Sequence, residues 1–181
     1  MIYLFLANGF EETEALVPLD CIRRAGIRIM TVGLGEQNIV GAHQITVKSD
    51  IIDQEIDLTE CDGVILPGGM PGTENLYASD VVRSVIQFCA DNNKMIASIC
   101  AAPSIPGRMG LLNGKKAVCF PGFEEKLGNY IATQSSVVKD GIYITAKGAG
   151  CVFPFSRTII THLKNEAAAD AVIKQMQYAS I

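Results

Sequence analysis

The sequence predicts an α/β domain built on a mostly parallel sheet with helices on both faces. Three observations lead there. Short apolar runs end repeatedly in glycine, proline or asparagine, as buried strands do. Strand-like and helix-like stretches alternate with no linker and no internal repeat, the pattern of parallel-sheet architectures. Hydrophobic residues make up 49% of the 181, enough for a sizeable core, whereas charged residues are only 19%, so long solvated helical faces should be few. A single domain over residues 1–181 is expected.

Ile2 to Ala7 reads as the first strand, broken by Asn8-Gly9. A helix begins in Glu11-Glu12-Thr13-Glu14, where acidic residues complement the dipole. Leu16, Leu19, Ile22 and Arg23 continue it, Gly26 closes it, and Pro18 predicts a kink or a late start. Ile27 to Val32 is the second strand. Ile39 to Lys48 reads as an antiparallel ribbon turning at Gly41-Ala42-His43, and Asp50 to Glu60 as acidic and irregular. Asp62 to Pro67 is a buried strand ending in Pro67-Gly68-Gly69, followed by a turn or short helix start over Gly72 to Asn75. Ser79-Asp80 caps a helix through Val82, Val85, Ile86 and Cys89 that Asn92-Asn93 ends.

Met95 to Ile99 is the next strand, apolar apart from Ser98. A helix from about Pro103 runs toward Gly110, interrupted by Pro106 and Gly107, and Leu111 to Gly114 is a loop. Ala117 to Phe120 reads as a short strand and Glu124 to Leu127 as one or two helical turns. Ser136 to Val138 and Ile142 to Thr145 form a hairpin through Lys139-Asp140-Gly141, since Asp-Gly is a strong hairpin signal. Gly148-Ala149-Gly150 is a flexible turn. Phe155, Ile159, Ile160 and Leu163 share one face of a helix that Asn165 breaks, and Glu166 to Tyr178 is the last helix.

The chemistry centres on Ile99-Cys100-Ala101-Ala102-Pro103. Small residues let the backbone turn tightly beside the sulfur, and Pro103 suits the first turn of a helix. This is the pattern of a nucleophile elbow with cysteine in place of serine. Converging backbone N–H groups and the helix dipole are expected to lower the thiol pKa. Sites in open α/β sheets lie beyond the carboxyl ends of the strands. If the strands are neighbours, the acidic first turn, the Gly68-Gly69 pair and Cys100 meet in one crevice.

Other function classes are weakened by composition. The net charge of −4 and the lack of a Lys/Arg run argue against nucleic acid as a partner. No apolar run approaches membrane-span length. The first strand has no basic flank and is followed at once by acid residues, so it is not read as a signal peptide, and a cytoplasmic location is expected. The six cysteines include no CxxC pair and only His43 and His162 accompany them, so neither a metal site nor a disulfide framework is expected. The five cysteines other than Cys100 read as small core residues.

Four stretches in order then carry a resemblance. Glu11 to Glu14 with Pro18 and Arg23-Arg24-Ala25-Gly26, Leu66 to Gly69, Ile99 to Pro103, and Lys147 to Gly150 resemble the signature segments of the DJ-1/ThiJ/PfpI superfamily, in its DJ-1-like branch. The resemblance implies a flavodoxin-like sandwich, a homodimer and no cofactor. It implies Cys100 as the reactive thiol and Glu14 as its partner carboxyl, held protonated by charge repulsion and burial. Gly68 and Gly69, with the Ala101 N–H, would be donors to an oxyanion. Arg24 resembles a position lining the same pocket near the dimer contact, and His43 lies in a ribbon that would reach the partner's pocket. Two departures stand out. Ala101 follows the cysteine where peptidases of the superfamily carry histidine, so peptidase or amidase activity is disfavoured. Phe120 stands where other DJ-1-like members carry a pocket histidine, which implies a slow enzyme. The implied activity is that of a glyoxalase or deglycase on a small aldehyde or dicarbonyl. The alternative is a non-enzymatic sensor of oxidative stress, or a chaperone, whose Cys100 is oxidised.

Overall fold

The computed structural model describes residues 1–178. The chain runs β1 (Ile2–Leu6), α1 (Glu12–Arg24), β2 (Ile29–Gly33), β3 (Asn38–Val40), β4 (Thr46–Lys48), β5 (Ile51–Ile52) and β6 (Gly63–Leu66). There follow α2 (Gly72–Ala78), α3 (Asp80–Asp91), β7 (Met95–Ile99), α4 (Ser104–Arg108), β8 (Lys116–Ala117) and β9 (Ile131–Ala132). The last elements are β10 (Val137–Asp140), β11 (Tyr143–Ala146), α5 (Val152–Leu163) and α6 (Glu166–Gln175).

Seven strands form one sheet in the order β10-β11-β7-β6-β1-β2-β5, parallel except for the β10–β11 hairpin. Alternate residues of β1 serve two cores. Ile2, Leu4 and Leu6 face the layer of α1, α5 and α6, whereas Tyr3 and Phe5, with Ala7 just past the strand, face the layer of α2 and α3. Every residue of β1, β6, β7 and β11 is buried, as expected for strands covered on both faces. This is the mostly parallel flavodoxin-like α/β arrangement expected from the sequence. None of the described helices is long and apolar enough to cross a membrane.

Differences from expectation have local causes. Pro18 neither delays nor ends α1, which starts at Glu12. Strand β2 begins at Ile29 because the Ile27 N–H still closes the preceding helix onto Ile22. The acidic stretch is not wholly irregular: Ile51–Ile52 pairs with β2 as an edge strand. The strand expected over Ala117 to Phe120 stops at Ala117, since the Val118 N–H turns to Thr145 Oγ1 and the Phe120 N–H to the Cys100 carbonyl. Lys139 and Asp140 lie in β10, and the hairpin turns at Gly141-Ile142, with Gly141 at φ +61°. Gly148 to Gly150 is not a loose turn, because Ala149–Cys151 is a 3₁₀ turn leading into α5. The last helix ends at Gln175. The ribbon of β3 and β4 forms as expected, whereas β9 carried no readable pattern.

Core position decides the cost of truncation. Phe5 is fully buried, so Phe5→Ala is expected to lose about 3–5 kcal/mol in urea denaturation. Val81→Ala, on the exposed side of α3, should stay within about 0.5 kcal/mol of the parent.

Candidate active site

Strands β1, β6 and β7 are consecutive neighbours, so the segments after their carboxyl ends meet. Glu14 comes from the first turn of α1. Its backbone N–H donates to Glu11 Oε2 at 2.7 Å, making Glu11 the N-cap. That cap turns Glu14 inward, where it is 1% exposed. Cys100 follows β7 with φ +64°, a left-handed conformation that costs a non-glycine residue on the order of 1 kcal/mol. Its N–H donates to the Ala146 carbonyl at 2.9 Å, and its carbonyl accepts the Phe120 N–H at 2.8 Å. With both backbone groups tied, the elbow is held in place.

Gly68 stands between the two side chains. Its N–H donates to Glu14 Oε2 at 2.9 Å, and a Cβ there would lie 2.6 Å from Cys100 Cβ and 2.7 Å from Glu14 Oε2. Only glycine lets the carboxyl and the cysteine approach this closely. Of the two glycines expected as oxyanion donors, Gly68 gives its N–H to the carboxyl, while the backbone N–H groups of Gly69 and Ala101 favour the Cys100 thiolate. The Ala149 backbone N–H, not singled out in the sequence, also favours the Glu14 carboxylate. Phe120, 48% exposed, stands beside Gly148 at the edge of this group.

The two side chains lie together, and each shifts the other's titration. Burial pushes the Glu14 carboxyl up to about 7, against an ordinary 4.5. Burial, and then the Glu14 charge beside it, push the Cys100 thiol up to about 12. The turn alone predicts a lowered thiol pKa; burial and the Glu14 charge push the other way. The two backbone donors pull downward but lose to desolvation and a neighbouring anion. Helix α4 adds little, as it has only five residues, Pro106 and Gly107 among them. The pair gives up one proton near neutrality and the second only in strong alkali, and these steps belong to the pair.

Arg24, expected near the dimer contact, and His43, expected to reach the partner's pocket, both have charged neighbours within this chain. Arg24 is ion-paired with Asp20 at 3.0 Å, one turn back on the same helix. Ten residues of helix put it about 15 Å along the axis from Glu14. His43 is on the ribbon, with its side chain 68% exposed, and its Nδ1 lies 2.7 Å from Glu12 Oε2. That hydrogen bond pushes the imidazole pKa up. Among the described residues, Glu11, Glu12 and His43 bring possible metal ligands within 4.8 Å of one another. Their acceptors are occupied: Glu12 takes the backbone N–H and the ring nitrogen of His43, and Glu11 caps α1.

Comparison with known proteins follows the same lines. The family model described as DJ-1/PfpI family matches residues 1–162. The chain is 35% identical to protein DJ-1 homolog B of Arabidopsis thaliana over 91% of its own length, and it spans 38% of that longer protein. It is 28% identical to deglycase PH1704 of Pyrococcus horikoshii, covering 91% of this chain and all of that one. The solved structure of oxidised DJ-1 from Toxoplasma gondii superposes with a TM-score of 0.94 at 27% identity, over 99% of this chain and 98% of that one.

The buried carboxyl makes stability depend on pH. Its pKa is raised on folding, so its contribution is fully present below 4.5 and is lost as pH rises through about 7. Glu14→Gln keeps a neutral group at all pH values. It is expected to be more stable than the parent in mild alkali by on the order of 3 kcal/mol, with the gap closing in acid. Urea denaturation on both sides of neutrality measures this, and a gap independent of pH would contradict it.

Proposed function

Given that the chain belongs to the DJ-1/PfpI family, in its DJ-1-like branch, we propose that it is a cysteine-dependent enzyme acting on small reactive dicarbonyls, of the glyoxalase or deglycase type. The observation that carries this reading is the buried Glu14–Cys100 pair, in which the carboxyl titrates near neutrality beside the thiol. The deglycase of Pyrococcus horikoshii among the relatives supports the substrate class.

The raised thiol pKa changes how the nucleophile is made. A standing thiolate is not needed, because ionised Glu14 takes the thiol proton as the sulfur attacks. Cys100 Sγ bonds to the aldehyde carbon of a dicarbonyl such as methylglyoxal. The carbonyl π bond opens, and its oxygen receives the proton from Glu14, giving a hemithioacetal. Glu14 then removes the hydrogen of that carbon as a proton and returns it to the adjacent carbon through an enediol. The product is a lactyl thioester on Cys100, which one water hydrolyses to lactate and free thiol. Dicarbonyl and water together become a hydroxy acid with no external oxidant or reductant. The N–H groups of Gly69 and Ala101 support the sulfur through these steps. Phe120 offers no titratable group, so proton transfer falls on Glu14 alone, and turnover should be slow.

The implied homodimer is part of the same proposal. Val40 and Met70, large exposed apolar residues lining one groove beside the ribbon, support a face for a second copy.

Lactate formed per subunit from methylglyoxal tests the enzyme reading. Many equivalents are expected, with loss of at least about 100-fold in Cys100→Ser and in Glu14→Gln. Less than one equivalent per subunit would overturn it and leave a thiol that reacts once.

A further inference from the structure

The core holds a second pair of contacting thiols that the Cys100 chemistry does not use. Cys61 ends the 3₁₀ turn Leu58–Glu60 just before β6, and Cys89 lies on the inward face of α3. Their sulfurs are 3.7 Å apart, at van der Waals contact, although 28 positions separate them in sequence. Cys61 is 2% exposed and Cys89 fully buried. Both belong to the core layer of Tyr3, Phe5 and Ala7, whereas Cys100 packs against the layer on the other side of the sheet.

We propose that Cys61 and Cys89 form a second oxidation site, which a peroxide closes into a disulfide independently of Cys100. The sulfurs already touch, so bond formation needs them to approach by less than about 2 Å. Access comes through the segment above Cys61. Thr59, Glu60 and Asp62 are exposed, and a single 3₁₀ turn is the kind of element that opens locally without global unfolding. Cys61 ends the turn that opens and is flanked by exposed residues, which makes it the group a peroxide reaches first; its hydrogen bond with Cys89 also lowers its pKa.

The chemistry balances in two steps. The Cys61 thiolate attacks one peroxide oxygen, the O–O bond breaks, and Cys61 sulfenic acid and hydroxide result. The Cys89 sulfur then attacks Cys61 Sγ, the S–S bond forms, the S–O bond breaks, and water leaves with the Cys89 proton. Two electrons pass from the two sulfurs to the peroxide. The product would tie the start of β6 to α3 across a 28-position loop, which raises the thermal midpoint.

Peptide mapping without reductant tests this after hydrogen peroxide treatment of folded wild-type and Cys100→Ser proteins, followed by alkylation. In both, the peptides carrying Cys61 and Cys89 are expected to be joined, to have lost two alkylatable thiols, and to separate again with dithiothreitol. Cys61→Ala and Cys89→Ala, with native circular dichroism, should lose the link. Recovery of Cys61 and Cys89 as alkylated free thiols once wild-type Cys100 is fully oxidised would overturn the proposal. So would their oxidation to unlinked sulfinates, or a link from either to another cysteine.

Discussion

A carboxyl and a thiol are held together in a place too dry to ionise both, and the rest of the site is arranged around that constraint. Two anions side by side in a low-dielectric setting repel strongly, so one proton stays with the pair across neutral pH. Glu14 is buried by its position in the first turn of α1, and Cys100 is forced against it by its left-handed backbone. Gly68 lets them meet, because any side chain there would occupy the contact. Each group also receives backbone N–H donors: Gly68 and Ala149 for the carboxyl, Gly69 and Ala101 for the sulfur. The donors reduce the cost of one negative charge on either atom but do not accommodate two.

The fold supplies this arrangement through strand order. Because β6 and β7 follow β1 in the sheet, three loops distant in sequence become neighbours at one edge. The hydrogen bond between Gly68 and Glu14 spans 54 positions and exists only through that order. β11 adds the last anchor, as its final residue, Ala146, holds the Cys100 N–H. Strain at the elbow persists because the ladder on one side and Phe120 on the other over-determine it.

Much of this was legible from residues. The elbow announced itself through Cys100 followed by two alanines and Pro103, and the crevice through the acids and glycines at strand ends. What was not legible depended on distance in space. The thiol pKa was read from local features, the turn and a following helix. Its direction is set by burial and by Glu14, far away in sequence. Gly68 and Gly69 looked equivalent as a pair, yet only one faces the carboxyl. Arg24 and His43 were placed near the dimer contact and the partner's pocket by resemblance alone, and within this chain they pair with Asp20 and Glu12. Strands β5, β8 and β9 have two residues each, too few for any periodicity to show.

The shared proton is tested most directly by titrating the Glu14 carboxyl itself, by carbon NMR with labelled glutamate, in the parent and in Cys100→Ala. In the parent, a midpoint near 7 is expected. Removing the thiol removes an interaction that favours the carboxylate, so the midpoint should move upward in the variant. A parent midpoint in the ordinary carboxylate range, or one unchanged by loss of the sulfur, would contradict the account.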